Sequence, residues 1–282
     1  MELEALSRLS ALSHPQRLAV FRLLMRRFPD AVPAGEISAA LELKASTASV
    51  YLSALCKTHL ITQDRVGTSL RYRANTQAAG ALIEYIFTDC CRGRPELCPP
   101  FSRSPEQTSP VMPGPPYNVL FICTGNSARS IFAESILHDL EGTSFTAYSA
   151  GTAPGSELNP VAVDLLRAKG HDTSRLRAKH ISEFQSATAP RMDFVFTVCD
   201  SAANEECPAW DGQPISGHWG VPDPVAATGT LSERQLAFQH AYGALKNRIE
   251  AFAALPLATH NRISLQAAVD DIAAHPLEGT CS

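Results

Sequence analysis

Apolar positions recur at helical spacing in three successive segments near the start of the chain, at about residues 3–13, 15–28 and 34–42. A fourth helix is predicted over 45–57, ASTASVYLSALCK, with Val50, Leu52 and Leu55 turned toward a core. The period then changes. LITQDRVGTSLRYRAN, residues 60–75, alternates around Gly67 as a β-hairpin would. Another helical stretch, AAGALIEYIFTDCC, closes this part of the chain. Helices followed by a hairpin predict a winged helix-turn-helix, mainly α with a β-hairpin wing.

Residues 99–116 read PPFSRSPEQTSPVMPGPP, with seven prolines in eighteen positions. Each proline removes an amide donor and fixes φ, so this stretch is expected to be a semi-extended linker. Beyond it, short apolar runs alternate with helical ones. YNVLFI precedes a helix at 127–140, TAYSAG precedes one near 159–169, and DFVFTVC is followed by helices near 232–254 and 262–274. Such alternation predicts an α/β unit with a parallel sheet covered by helices. The expected organisation is therefore 1–98, a linker at 99–116, and 117–282, with no internal repeat on either side.

Charge sharpens this division. The chain carries a formal net charge of −4, but residues 1–98 hold 12 Lys and Arg against 9 Asp and Glu, and the remainder holds 12 against 19. A mildly basic front part suits a polyanionic partner. No apolar run approaches the roughly 20 residues of a membrane helix. The opening MELEALSRLSALSHPQRL mixes acids and bases and does not read as a secretion signal, so a cytoplasmic protein without a membrane partner is expected. In that setting the eight cysteines, at 56, 90, 91, 98, 123, 199, 207 and 281, suit catalysis or ion binding better than a disulfide framework.

One stretch concentrates the chemistry. NVLFICTGNSARSIFAESIL places Cys123 at the end of a strand and Arg129 at the mouth of a helix. Between them, Thr124, Gly125, Asn126, Ser127 and Ala128 form a tight loop whose amides, together with the positive end of the helix, suit a tetrahedral oxyanion. Arg129 offers a planar fork for two oxygens. Gly125 is expected to permit close backbone approach, and the thiol is expected to have a lowered pKa.

CTGNSARS, SAG at 149–151, TVCDSAANEECP and HWGVPDPVAATGT together resemble the arsenate reductases built on the low-molecular-weight protein tyrosine phosphatase fold, over most of 117–275. The resemblance implies that Cys123 attacks arsenate and that Asp223, 100 residues downstream, protonates the leaving oxygen. It implies that Ser130 bonds the thiolate sulfur and Asn126 shapes the loop. It also implies a relay of sulfurs. Cys199 attacks the arseno-Cys123 adduct and releases arsenite, then Cys207 takes the disulfide to the surface for thioredoxin or a similar dithiol reductant. The small, polar segment DSAANEE, 200–206, suits a part of the chain that loops out. Cys199 and Cys207 stand one residue further apart than the resemblance implies, and position 128 is Ala where some relatives carry a further Cys. No cofactor is required. Some relatives bind potassium near the loop, and Asn126, Glu134 and Ser149 match that site. The runner-up is a tyrosine phosphatase, against which Val225 follows Asp-Pro where an aromatic residue is expected.

In the front part, LSHPQRLAVFRLL and ISAALELKASTASVYLSALCKTHLITQDRVGTSLRYRA resemble the arsenic-responsive ArsR family of winged-helix repressors, over about residues 3–87. The resemblance implies a homodimer on a double-stranded DNA operator. The helix at 45–57 would enter the major groove with Lys44, Ser46, Thr47, Ser49 and Tyr51 near its exposed side, and Arg65, Arg71 and Arg73 would meet phosphates. Cys90, Cys91 and Cys98 can close on one soft, three-coordinate arsenite, with zinc as a competitor that wants a fourth ligand. Neither Cys56 nor Cys281 receives a role. The expected protein is an arsenite-responsive repressor joined to an arsenate reductase; the alternatives are a DNA-binding regulator fused to a tyrosine phosphatase, or one whose rear part only senses oxyanions.

Overall fold

The computed structural model describes residues 2–92, 94, 116–140, 144–186, 188–205, 210, 212–257 and 260–275. Residues 99–115 of the predicted linker at 99–116, together with Cys98, Cys207 and Cys281, lie outside the described residues. The chain forms two compact units, Met1–Pro110 and Val111–Ser282. Among the described residues no helix is long and apolar enough to cross a membrane.

The front unit begins with helices α1 (Glu2–Leu12) and α2 (Pro15–Arg26). His14 caps α2 by accepting from the Gln16 amide at 3.2 Å, and Pro15 supplies the preset first helical position. A two-residue strand β1 (Val32–Pro33) precedes α3 (Ala34–Ala40) and α4 (Ala45–Lys57). Strands β2 (Ile61–Val66) and β3 (Ser69–Ala74) form the expected hairpin, with Gly67 at φ +60°. The sheet is antiparallel in the order β1-β3-β2. Helix α5 (Thr76–Tyr85), capped by Asn75, continues into a π-helical turn, Ile86–Cys90. Val20, Leu23, Leu24, Ile37, Leu52, Leu55, Leu60 and Ile61 make the core of this unit. Val50 does not face it. That residue is 66% exposed, because the buried stripe of α4 runs through Ala48, Leu52 and Leu55.

The rear unit is a parallel sheet in the order β5-β4-β6-β7, made of β4 (Tyr117–Cys123), β5 (Phe145–Gly151), β6 (Phe194–Thr197) and β7 (Ile215–His218). Helices α6 (Arg129–Asp139) and α7 (Pro160–Ala168) follow β4 and β5, a short α8 (Asp200–Asn204) follows β6, and α9 (Leu231–Ala253) and α10 (Arg262–Ala274) finish the unit. From Val119 to Ile122 β4 is wholly buried, which is why it reads as an unbroken apolar run. Thr230 and Glu233 form a capping box at the start of α9, while Asn159 and Asn261 cap α7 and α10.

Strand β7 was not predicted. Its ISGH sequence is short and polar, and its glycine is needed: a Cβ on Gly217 would sit 2.8 Å from Val269 of α10. The chain goes from β4 to β5 on one side and then returns past β4 to β6 on the other. At such a reversal, outside the carboxyl ends of the strands, open α/β sheets place their ligands. Cys123 ends β4 there.

The end of β5 reaches the same place. A Cβ on Gly151 would lie 2.5 Å from the Thr124 carbonyl oxygen and 3.0 Å from the Asn126 Cβ. Gly151→Ala is therefore expected to destabilise the rear unit by about 1–3 kcal/mol. Chemical denaturation of the variant, followed by tryptophan fluorescence from the rear unit's Trp219, checks this; an unchanged midpoint is incompatible with the close approach.

Candidate active site

The loop from Cys123 to Ser130 is pinned from outside by backbone bonds. Thr152 N–H donates to the Cys123 carbonyl at 3.1 Å, Ala153 to Thr124 at 2.9 Å, and Asn159 to Ser127 at 3.0 Å. Asn126 takes a left-handed conformation, φ +43°, which asparagine tolerates better than most residues. Its amide then points at the sulfur of Cys123, donating to Sγ at 3.1 Å. Gly125 is not the residue under steric demand. A Cβ there would meet nothing nearer than 3.6 Å, and the left-handed residue of the loop is Asn126, with Gly151 supplying the close approach.

The Asn126 side chain is a fully buried hub. Its Oδ1 accepts from the Lys179 amide at 2.7 Å, and its Nδ2 donates to Ser130 Oγ at 2.9 Å and to Ser149 Oγ at 2.8 Å. These three bonds use both donors and fix the amide's orientation. Ser130 Oγ lies 2.9 Å from Cys123 Sγ. That oxygen also accepts from Asn126, and it donates its proton to the sulfur whenever Cys123 is a thiolate.

Cys123 is 3% exposed. Burial pushes its thiol up, the opposite of the expected lowering, and the nearby Cys199 adds to the rise. The Ser130 hydroxyl and the backbone amides of Ser130 and Asn126 pull the other way without winning. A buried thiolate must give up water, and the loop donors only partly replace it.

Arg129 begins α6 and spans the mouth of the loop, donating to the Val221 carbonyl at 3.2 Å and pairing with Asp223 at 2.9 Å. Asp223 uses its other oxygen to accept from the Val225 amide at 3.0 Å. Cys199 is 1% exposed and approaches the loop from β6, with Sγ 3.5 Å from Thr124 Oγ1. Its sulfur also accepts from the Ala202 amide at 3.4 Å and so caps α8. Residues 200–204, part of the 200–206 segment expected to be able to loop out, are helical, with Ala202 and Ala203 buried beneath. His218 is also buried and ties this segment down, with its ring nitrogens 2.8 Å from Thr197 Oγ1 and 3.2 Å from Asp200 Oδ1.

The structure thus gathers Cys123, the Thr124–Ala128 loop, Arg129, Ser130, Cys199 and Asp223 at one end of the sheet. It adds a residue the sequence did not mark. Lys179 is 7% exposed, and its ammonium lies 2.9 and 3.2 Å from the two oxygens of Glu134. Nothing in RAKHIS distinguishes this lysine from a surface one; only the topology brings it to the loop.

A family model for low molecular weight phosphotyrosine protein phosphatase matches residues 118–263, just over half of the chain. The chain belongs to that family. Similar relatives include the arsenate reductases of Shouchella clausii, 36% identical over 137 residues, and of Bacillus subtilis, 36% identical over 135 residues. Each match covers 48% of this chain and 94% of the relative. A solved arsenate reductase in the phosphate binding state is 26% identical with a TM-score of 0.41, covering 49% of this chain and 97% of that one.

In the front unit, Lys44, Ser46 and Ser49 are exposed and Thr47 is half-buried. Tyr51 is not free to reach outward: its hydroxyl donates to Gln16 at 2.6 Å and its ring packs on His14. Nor do the three hairpin arginines share a face. The register pairs Arg65 with Leu70, whereas Arg71 and Arg73 stand opposite Asp64 and Thr62 on the other side. Arg65 and Arg73 are exposed and Arg71 is half-buried. Cys90 is exposed and Cys91 half-buried at the end of the π-helical turn. Cys56 is half-buried against the front core, and burial pushes its thiol up.

The Ser130 bond gives a test that needs no substrate. The difference in thiolate ultraviolet absorbance between the chain and its Cys123→Ser variant should rise on the alkaline side of the ordinary cysteine range. Ser130→Ala should move that rise to still higher pH, because it removes a donor that favours the charged form. An unmoved profile would show that the hydroxyl does not stabilise the thiolate.

Proposed function

We propose that the rear unit reduces arsenate to arsenite through Cys123, Cys199 and Cys207. The observation that carries this reading is a second buried sulfur, Cys199, packed against the loop that holds the nucleophile. A hydrolase needs one thiol, since water completes its reaction; a reductant of arsenate must deliver two electrons, and a thiol pair does so by ending as a disulfide. The matching relatives are arsenate reductases, which supports the same choice.

In the proposed cycle the Cys123 thiolate bonds to arsenic, and one arsenate oxygen leaves as water with a proton from Asp223. Arg129 turns from Asp223 and Val221 toward the oxyanion, and the loop amides take its remaining oxygens. The Cys199 thiolate then attacks Cys123 Sγ. The sulfur–arsenic bond breaks, its electron pair stays on arsenic, and arsenite departs from a Cys123–Cys199 disulfide. Cys207 attacks Cys199, freeing Cys123, and a thioredoxin-like dithiol reduces the final disulfide. When Cys199 attacks, its sulfur leaves the cap of α8, so this short helix opens during turnover.

The front unit, on this reading, is a winged-helix repressor of the ArsR type that binds a DNA operator as a homodimer. Support comes from the order of helices and hairpin and from the exposed Lys44, Ser46, Ser49, Arg65 and Arg73. Thr47 and Arg71, both half-buried, are secondary candidates, and Tyr51 serves to hold α4 against α2. Cys90 and Cys91, with Cys98, would take the arsenite made at Cys123 and loosen the dimer from its operator. The domain boundaries that accompany this reading are 1–98, a linker at 99–116, and 117–282.

Two experiments test these halves. Arsenate-dependent oxidation of reduced thioredoxin should occur with the full chain and fall to background in Cys199→Ser. Cys207→Ser should complete one turnover and stop with a Cys123–Cys199 disulfide, while Asp223→Asn should lower kcat by about 10²–10⁴-fold. Undiminished turnover in Cys199→Ser, or aryl phosphate hydrolysis with no arsenite formed, would favour the phosphatase. For the front half, arsenite should release the operator from wild type but not from Cys90→Ser; equal release from both removes the cysteine cluster from the account.

A further inference from the structure

The hydrogen bonds around Asn126 form a directed circuit with Lys179 at both ends. The Lys179 amide donates to Asn126 Oδ1, and the Asn126 side chain donates to Ser130 and Ser149. Ser130 Oγ lies 2.9 Å from Cys123 Sγ, to which it donates when that sulfur is a thiolate, and Ser149 donates to Glu134. Glu134 is closed off by the Lys179 ammonium, at 2.9 and 3.2 Å. The Lys179 carbonyl also accepts from the Gly151 amide at 2.8 Å, next to the glycine that lets the loop pack against β5. One residue thus holds the loop by its amide, its carbonyl and its charge.

Asn126, Glu134 and Ser149 are the residues matched to a potassium site, and the structure does bring them together. Their fit to an added cation is poor. The carboxylate that would bind potassium is engaged on both oxygens by an ammonium whose side chain is 8% exposed, against 15% for Glu134. A second positive charge there would meet the first at close range with little water between them.

We propose that Lys179 is a built-in counter-ion and positioning residue for the Cys123 loop, taking the place that an added monovalent cation would fill. Its ammonium pairs with both oxygens of Glu134, Ser149 donates to that carboxylate, and Ser149 Oγ is left to accept from Asn126. Asn126 is held in turn with a donor on Ser130. The inference rests on the loop being an oxyanion site, but not on the fate of the oxyanion.

Inorganic phosphate binding and the melting temperature of the full chain, measured in potassium chloride and in choline chloride of equal ionic strength, test it. Wild type should give the same values in both salts. Lys179→Gln should bind phosphate about tenfold more weakly or worse in choline, with part of the loss restored by potassium in a saturable way. Adding Glu134→Gln to Lys179→Gln should recover binding without potassium, because the uncompensated carboxylate is gone; a residue that only filled space would not be rescued this way. A saturable potassium dependence in wild type overturns the proposal, as does wild-type binding by Lys179→Gln or a double variant no better than the single one. The wild-type measurement decides even where Lys179→Gln does not fold, and the salt dependence of melting decides even where wild type binds no phosphate, a result that would refute the oxyanion reading instead.

Discussion

Everything at the head of the rear sheet depends on one buried amide that has all its partners. Asn126 sits at positive φ with no exposed surface, so its side chain must find hydrogen bonds within the protein or destabilise the loop. It finds three, on three different segments of chain: Ser130 at the start of α6, Ser149 in β5, and Lys179 ahead of the bridge that His180 makes to Gly151. That arrangement ties the Cys123 loop, the helix and the neighbouring strand into one unit. A partly satisfied version would be worse than an apolar one, which makes the network demanding as well as rigid.

The same burial works against the chemistry it organises. Cys123 is placed where water is scarce, and its thiol is pushed up as a result. The donors from Ser130 and Asn126 offset part of that cost, while a second thiol nearby adds to it. A loop built for an oxyanion and a thiolate must not also face an uncompensated carboxylate. Glu134 lies two hydrogen bonds from Asn126 by way of Ser149, so its pairing with Lys179 is part of the electrostatics around Cys123. The cation is supplied by the chain itself.

Much of this was legible in the sequence, for identifiable reasons. Strand β4 and the cysteine at its end show as an apolar run that stops at a polar loop, and Pro15, Asn159 and Thr230 mark helix starts by their own chemistry. What was not legible depends on distant packing. Strand β7 is short, polar and at the sheet edge, with Gly217 chosen for α10 and not for β propensity. Lys179 looks like any surface lysine until the sheet folds it against Glu134. Tyr51 looked like a groove contact because its hydrogen bond to Gln16 crosses 35 residues. Val50 was misplaced within α4 because a short apolar stretch admits more than one buried stripe.

The segment after Cys199 shows how a small, polar sequence can be ordered and still ready to open. Helix α8 has five residues, too few for helix propagation to offset nucleation, so it persists through its ends and its contacts. Its first turn is held by the Cys199 sulfur, and Asp200 is held by His218. At the far end, Glu205 accepts from Thr152 at an exposed position. Removing the sulfur cap therefore takes away one support of the first turn, while Ala202 and Ala203 stay buried. In a thiol relay the event that withdraws the cap is the attack on Cys123 itself. Chemistry at the first sulfur would then loosen the helix that separates the second sulfur from the third, and the order of the steps would follow from the structure of α8.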